Sequence, residues 1–295
     1  MSQSASPLPD WLSALAAKTW VEGPLLGTVE RIDDAARARA VQAASEMRAI
    51  TIGRPFASGS APTLGDWSIT KSTHEDGTRV SAYDHFEVDC HGLEITHLDA
   101  LNHLGVDRQW YRGFSSDTED GISLAELASV PILTRCVFLD VAESRGESYI
   151  NAEHPVDWSD LDRALARAGV DIEPGDAILV DMGRDKLEQA GHHVRPIADS
   201  PNGRPGIGES GSQWIAASGA SLLGWDLNDF HAAGHLQLSV HLLIWAIGLM
   251  LVDNCDFAAL REAINQKTER TGMLVVCPLQ VSGATGCAVN PVVLI

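Results

Sequence analysis

Residues 89–103 read "DCHGLEITHLDALNH", which packs His91, His97, Asp99 and His103, residues of types that bind a metal or move a proton, into one short stretch. Strand side chains alternate, so H-x-D puts His97 and Asp99 on one face. An imidazole beside a carboxylate is half of a site for a divalent cation of the Zn, Mn or Fe type. A turn after Asp99 would bring His103 back over the same spot as an acid or base. His91 is expected to fall outside. Six residues of extended chain span roughly 20 Å, so only a sharp turn at Gly92 could bring it to His97. The competing reading is a polar strand edge with hydrogen-bonded histidines.

A half-site needs further ligands, and two residues far along the chain need partners. His241 sits in the apolar run "LSVHLLIW", and Asp253 ends the apolar strand "GLMLVDN". A carboxylate there is costly to bury unpaired. A third group, Asp226, Asp229, His231 and His235 in "GWDLNDFHAAGH", reads as loop residues. Asp226, at a strand end, is the one most expected to function. Cys90 and His91 are adjacent in an extended segment, so they point to opposite faces and make a poor nucleophile–base pair. No dinucleotide fingerprint, phosphate loop or nucleophile elbow is present.

Around these residues the chain reads as α/β with a mixed sheet. Helices are expected at 33–49, 123–129, 159–170 (with a Ser cap) and 256–272 (capped by Asp256). Strands are expected at 135–142 and 273–281, 173–183 reads as a turn followed by a buried strand, and 79–92 is β-rich. "SGSQWIAASGASLLGWDLND" (210–229) reads as helix, turn and strand. The longest apolar run, 238–252, is short for a membrane span and reads as a buried helix leading into a strand. Glycine-rich 200–212 reads as a mobile loop near a site. The expected organisation is an N-terminal helical extension (1–60) followed by one domain (61–295).

Composition narrows the partners. The 295 residues carry 40 acidic and 21 basic side chains, a formal charge of −19. Nucleic acid and anionic membrane both need a basic surface and are not expected as partners. Hydrophobic residues make up 45%, enough for a sizeable core. Five scattered cysteines with no CxxC pair argue against a disulfide framework. The N-terminal stretch has no secretory-signal pattern, so a cytoplasmic location is expected.

Several segments together resemble the cyclase family of metal-dependent hydrolases, which includes bacterial kynurenine formamidases and isatin hydrolases. "THLDALNH" (96–103) resembles the signature H-x-G-T-H-x-D-x-P-x-H. "SVHLLIWAIGLMLVDNCDFAAL" (239–260) looks like the family's later histidine and acidic ligand. "CPLQVSGATGCAVNP" (277–291) is similar to its C-terminal P-L-x-x-x-G-x-T-G-S-P-x-N-P. The resemblance implies a swivelling β/β/α fold, with His97, Asp99, His241 and Asp253 as ligands of Zn or Mn and His103 as the acid/base. It also implies a homodimer or homotetramer acting on a small molecule, by cleaving the C–N bond of an aryl-formamide or cyclic amide. Trp110, Tyr111, Arg184 and Asp226 are candidates for substrate contacts. Lyase, dehydratase or cyclase chemistry, or ligand binding without catalysis, are the rival readings. This chain departs from the signature at its first His, which falls on Leu93, and at its Gly, which falls on Ile95.

Overall fold

The computed structural model describes residues 8–295, apart from 57–66, 119–120, 197–198, 234 and 236–237. The strands are β1 (Ala49–Thr51), β2 (Trp67–Asp76), β3 (Arg79–Val88), β4 (His97–Asp99), β5 (Ile132–Asp140) and β6 (Ala177–Asp181). They continue as β7 (Leu222–Trp225), β8 (Met250–Asp253), β9 (Thr271–Val276), β10 (Gly286–Ala288) and β11 (Val292–Leu294). The helices are α1 (Asp10–Glu22), α2 (Asp34–Ala43), α3 (Leu124–Ala128), α4 (Val141–Arg145) and α5 (Trp158–Ala168). They are followed by α6 (Arg184–Gln189), α7 (Glu209–Ala217), α8 (Leu242–Ile247) and α9 (Ala258–Ile264).

Nine strands form one mixed sheet in the order β1-β11-β9-β5-β6-β7-β8-β4-β10. The middle four, β5 to β8, are parallel, and the flanking strands pair antiparallel. Every residue of β6, β7 and β8 is buried. Strands covered on both faces need unbroken apolar runs, which explains why "AILV", "LLGW" and "MLV" do not alternate. The fold is the α/β class with a mixed sheet read from the sequence.

Local chemistry sets the helix ends. The Asp33 side chain accepts from Ala36 N at 2.8 Å and caps α2. Helix α5 is capped by Asp157, not by the expected serine: Asp157 accepts from Asp160 N, and Asp160 returns a bond to Asp157 N. Gly169 ends α5 with φ +73°, a conformation glycine adopts without strain. Helix α9 is shorter than expected, ending at Ile264, and Asp256 accepts from Ala258 N just ahead of it.

The described part of residues 1–60 packs on the rest of the chain. Strand β1 pairs with β11, Leu12 and Val29 are fully buried, and Trp20 packs edge-on against Trp245 of α8. The β-rich stretch after residue 79 does not run on to residue 92. Strand β3 ends at Val88, and residues 90–95 form successive turns. Strands β2 and β3 form a separate two-stranded hairpin whose residues are almost all exposed. Among the described residues, no helix is long and apolar enough to cross a membrane.

Candidate functional site

The sheet brings the sequence-distant residues together at one end. Asp253 closes β8, and its antiparallel partner on β4 is His97. Asp226 follows the last residue of β7. The site therefore lies beyond the carboxyl ends of parallel strands, where open α/β sheets leave a crevice.

Asp99 is the centre of the arrangement. It is fully buried, and among the described residues neither carboxylate oxygen has a hydrogen-bond partner. Four imidazoles surround it. His91 Nδ1 lies 3.1 Å and His97 Nε2 3.4 Å from Oδ1, while His103 Nε2 lies 3.9 Å from Oδ1 and His241 Nε2 3.9 Å from Oδ2. These nitrogens converge on the carboxylate without hydrogen-bond geometry, as groups do when their lone pairs point to a common centre. Two overlapping triads could each hold an ion, His91–His97–Asp99 and Asp99–His103–His241, with ligand atoms within 4.8 Å of one another.

Neighbouring groups fix which ring nitrogen faces inward. His97 Nδ1 lies 2.8 Å from the Ile95 carbonyl, which can only accept. In the neutral ring the proton therefore sits on Nδ1, leaving Nε2 as a ligand atom. His241 Nδ1 lies 2.5 Å from Asp229 Oδ2, so its Nε2 is likewise turned inward, 3.2 Å from Asp253 Oδ2. Asp253 accepts from Trp225 Nε1 at 2.5 Å and from Asn228 Nδ2 at 2.7 Å. Asp229, read from sequence as a loop residue, is thus the orienter of His241.

The electrostatics follow from burial and crowding. Burial would raise the Asp99 carboxyl, but His97 and His103 hold it well below the usual carboxylate range. Burial opposes charging of His241, yet Asp253 and Asp229 raise it well above an ordinary histidine. Burial also opposes charging of His91, and Asp99 outweighs it, bringing His91 up to about 10. His103 moves the other way. Burial lowers it, and Asp99 offsets this only in part.

His91 corrects the sequence reading. The chain does not run extended from 91 to 97. Gly92 N bonds back to Asp89 O and Ile95 N to Gly92 O, and these turns bring the His91 ring to 5.2 Å from His97 and 4.1 Å from His103. Asn254 Nδ2 donates to the Gly92 and Ile95 carbonyls, and Arg184 Nη2 donates to Leu93 O, so the loop is held from beneath. Gly286 on β10 leaves space for the ring, because a Cβ there would lie 2.7 Å from His91 Cε1. Ile95 is buried, and Leu93 packs against the core.

The candidate substrate contacts are placed unevenly. Arg184 is buried and occupied, pairing with Glu188 at 2.7 Å and Glu94 at 3.2 Å and donating to Asn254 Oδ1 at 2.8 Å. Asp226 accepts from Met182 N and Arg184 N and ties β6 to β7, and burial with Asp181 nearby pushes it up to about 8. Tyr111 is buried and donates to Pro24 O. Each of the three is committed to packing. Trp110 is half-buried, with its indole beside Gly105 and Gly121.

A family model described as "Cyclase: Putative cyclase" matches residues 43–232. A crystal structure described as a novel cyclase superposes with a TM-score of 0.81 at 19% identity, covering 99% of this chain and 100% of that one. Isatin hydrolase A from Ralstonia solanacearum superposes at 0.61 with 18% identity, covering 99% and 100%. An isatin hydrolase bound to the product analogue thioisatinate superposes at 0.59 with 16% identity, covering 88% and 97%. No curated protein matches the sequence. The fold agrees across these structures, and with the model match over more than half its length, the chain belongs to the cyclase family.

Proposed function

We propose that the protein is a metal-dependent hydrolase that cleaves a C–N bond in a small aryl-formamide or cyclic amide. The observation that carries this is Asp99, a fully buried carboxylate with no hydrogen-bond partner among the described residues and a ring of four imidazoles. In the metal-free protein protonated His91 and His241 offset that buried charge, and a divalent cation would take the place of their protons. His97, Asp99, His241 and Asp253 are the proposed ligands, with His91 in the place left by the missing first histidine. Zinc or manganese suits this nitrogen and oxygen donor set. Bound there, such an ion would supply a Lewis acid for the amide carbonyl and lower the pKa of water.

The remaining chemistry falls to the chain. His103 is neutral at pH 7 because burial lowers its pKa, so it can accept a proton from water and deliver it to the leaving nitrogen. Its side chain keeps 23% exposure, against 4% for His97, which fits a group that meets substrate. Asp229 and the Ile95 carbonyl hold His241 and His97 in their inward tautomers. Trp110 is the proposed aromatic contact for the substrate ring.

The test is metal content of the purified protein, followed by a formamide, lactam and lactone panel read by product mass. Bound Zn or Mn, with formamides split to the free amine and formate and lactams opened to products heavier by one water, supports the reading. Absence of metal uptake from either ion sinks it, and a product lighter by one water would assign the site to elimination.

The β2–β3 hairpin supports a homo-oligomer. A two-stranded hairpin alone is marginal in water. This one exposes Ile69 (47%), Val80 (67%) and Phe86 (48%) along one face. A second copy of the chain is its proposed partner. Ile69→Asp combined with Phe86→Asp is expected to reduce the sedimentation mass to that of a monomer. A monomeric wild type would refute the assignment.

A further inference from the structure

Arginines buried in this protein are matched to carboxylates, with one exception. Arg184 pairs with Glu188 and Glu94, Arg261 with Asp181 and Asp185, and Arg270 with Glu143. Arg204 is as deeply placed, at 7% exposure, yet among the described residues it has no carboxylate within 4 Å. Among those residues its Nε has no hydrogen-bond partner, and its Nη1 lies 3.5 Å from the Arg195 carbonyl. A guanidinium is always charged and offers a planar fork of donors. Burying it without an anion is costly.

The position of Arg204 places it at the metal centre's flank. Its backbone bridges His231, and Ile207, three residues on, bridges Asp229. Gly206 presses this segment against the strand end so closely that a Cβ there would lie 2.0 Å from Asn228 O. Arg204 thus belongs to a segment laid along residues 228–231, beside the orienter Asp229 and the Asp253 partner Asn228. It feels the charges of Asp229 and Asp253 without pairing with either. Both oxygens of Asp229 are already taken, by His241 Nδ1 and by Val240 N.

We propose that Arg204 is the anion-recognition residue of this site, receiving a carboxylate carried by the aromatic substrate and retained in its product. The inference rests on the hydrolase reading for the word substrate, but the fork and its missing anion stand without it. It also answers an electrostatic need. A chain of charge −19 repels anions at long range, and a fixed cation beside the site counters this. Arg184, one of the candidate substrate contacts read from the sequence, is already paired.

Calorimetry with 2-aminobenzoate and aniline, which differ by one carboxylate, tests this on the purified protein, with and without chelator. A bidentate charge-assisted pair predicts a preference for 2-aminobenzoate of about tenfold or more. The preference is expected to vanish in Arg204→Gln and to fall to an intermediate value in Arg204→Lys, which keeps the charge but not the fork. If the Gln variant does not fold, the Lys variant decides: an unchanged preference overturns the proposal, and a reduced one supports it. A wild type without preference, or a preference that survives Arg204→Gln, also overturns it. An inert protein that still shows the Arg204-dependent preference would sink the hydrolase reading and leave this one standing. Amide turnover without the preference would do the reverse.

Discussion

Asp99→Asn removes the thermal stabilisation that zinc or manganese gives the wild-type protein. A ligand that binds only the folded state stabilises by about 4 kcal/mol at a thousand times its Kd. For a chain of this size that corresponds to a rise in Tm on the order of 10 °C. Asp99 is the one residue common to both candidate triads, so its charge contributes to either ion position. The amide keeps the shape and loses the charge, and the rise is expected to shrink to about 2 °C or less. Uptake should also strengthen with pH. In the metal-free protein His91 is brought up to about 10 by Asp99 against burial, and His241 is raised by Asp253 and Asp229. Both carry protons at pH 7, and an incoming ion must displace them, so binding releases protons and weakens as pH falls. Thermal melts across pH 6–9, with and without metal, check both statements. A variant that keeps the full metal-dependent shift would remove Asp99 from the centre.

Periodicity made the sheet legible, because apolar strands buried on both faces and helices bounded by Asp and Gly leave local marks. "AILVD" and "GLMLVD" became β6 and β8, and the expected helix and strand in 238–252 became α8 and β8. The convergence of His97, Asp99, His103, His241 and Asp253 was also legible, through strand alternation and resemblance. What failed was the path of residues 90–95. An extended reading kept His91 away, whereas Asn254, Arg184 and Gly286 hold a loop that brings it in. Those three lie 89 to 195 residues along the chain from "HGLEI" (91–95), so no local pattern there announces the turn. Arg204 was hidden for a related reason. A glycine-rich loop reads as mobile, but here Gly206 is what allows close packing against Asn228. Arg184 shows the opposite error: its place after a strand looked functional, and tertiary ion pairs had already taken it.

His103→Gln separates binding from turnover. His103 lies on the chain just after β4, where His103 N bonds to Ala100 O and closes a turn that carries the ring over Asp99. Its ring stacks on His91 at 4.1 Å, and its Nε2 is the most distant of those near Asp99 Oδ1, at 3.9 Å. A peripheral, partly exposed and neutral imidazole suits proton transfer better than it suits tight ligation. The variant should therefore retain wild-type metal content while its kcat on an amide substrate falls by about 10²–10⁴. His97→Ala, in contrast, should lose metal and turnover together. The pH profile carries a second signature. A base acts only when unprotonated, and burial lowers His103 from its ordinary value. Activity should thus hold through pH 7 and decline only on the acid side of the usual histidine range, and that limb should be absent from the residual activity of His103→Gln. Persistence of full turnover in the variant, or loss of metal along with activity, would move the proton-transfer role to another residue.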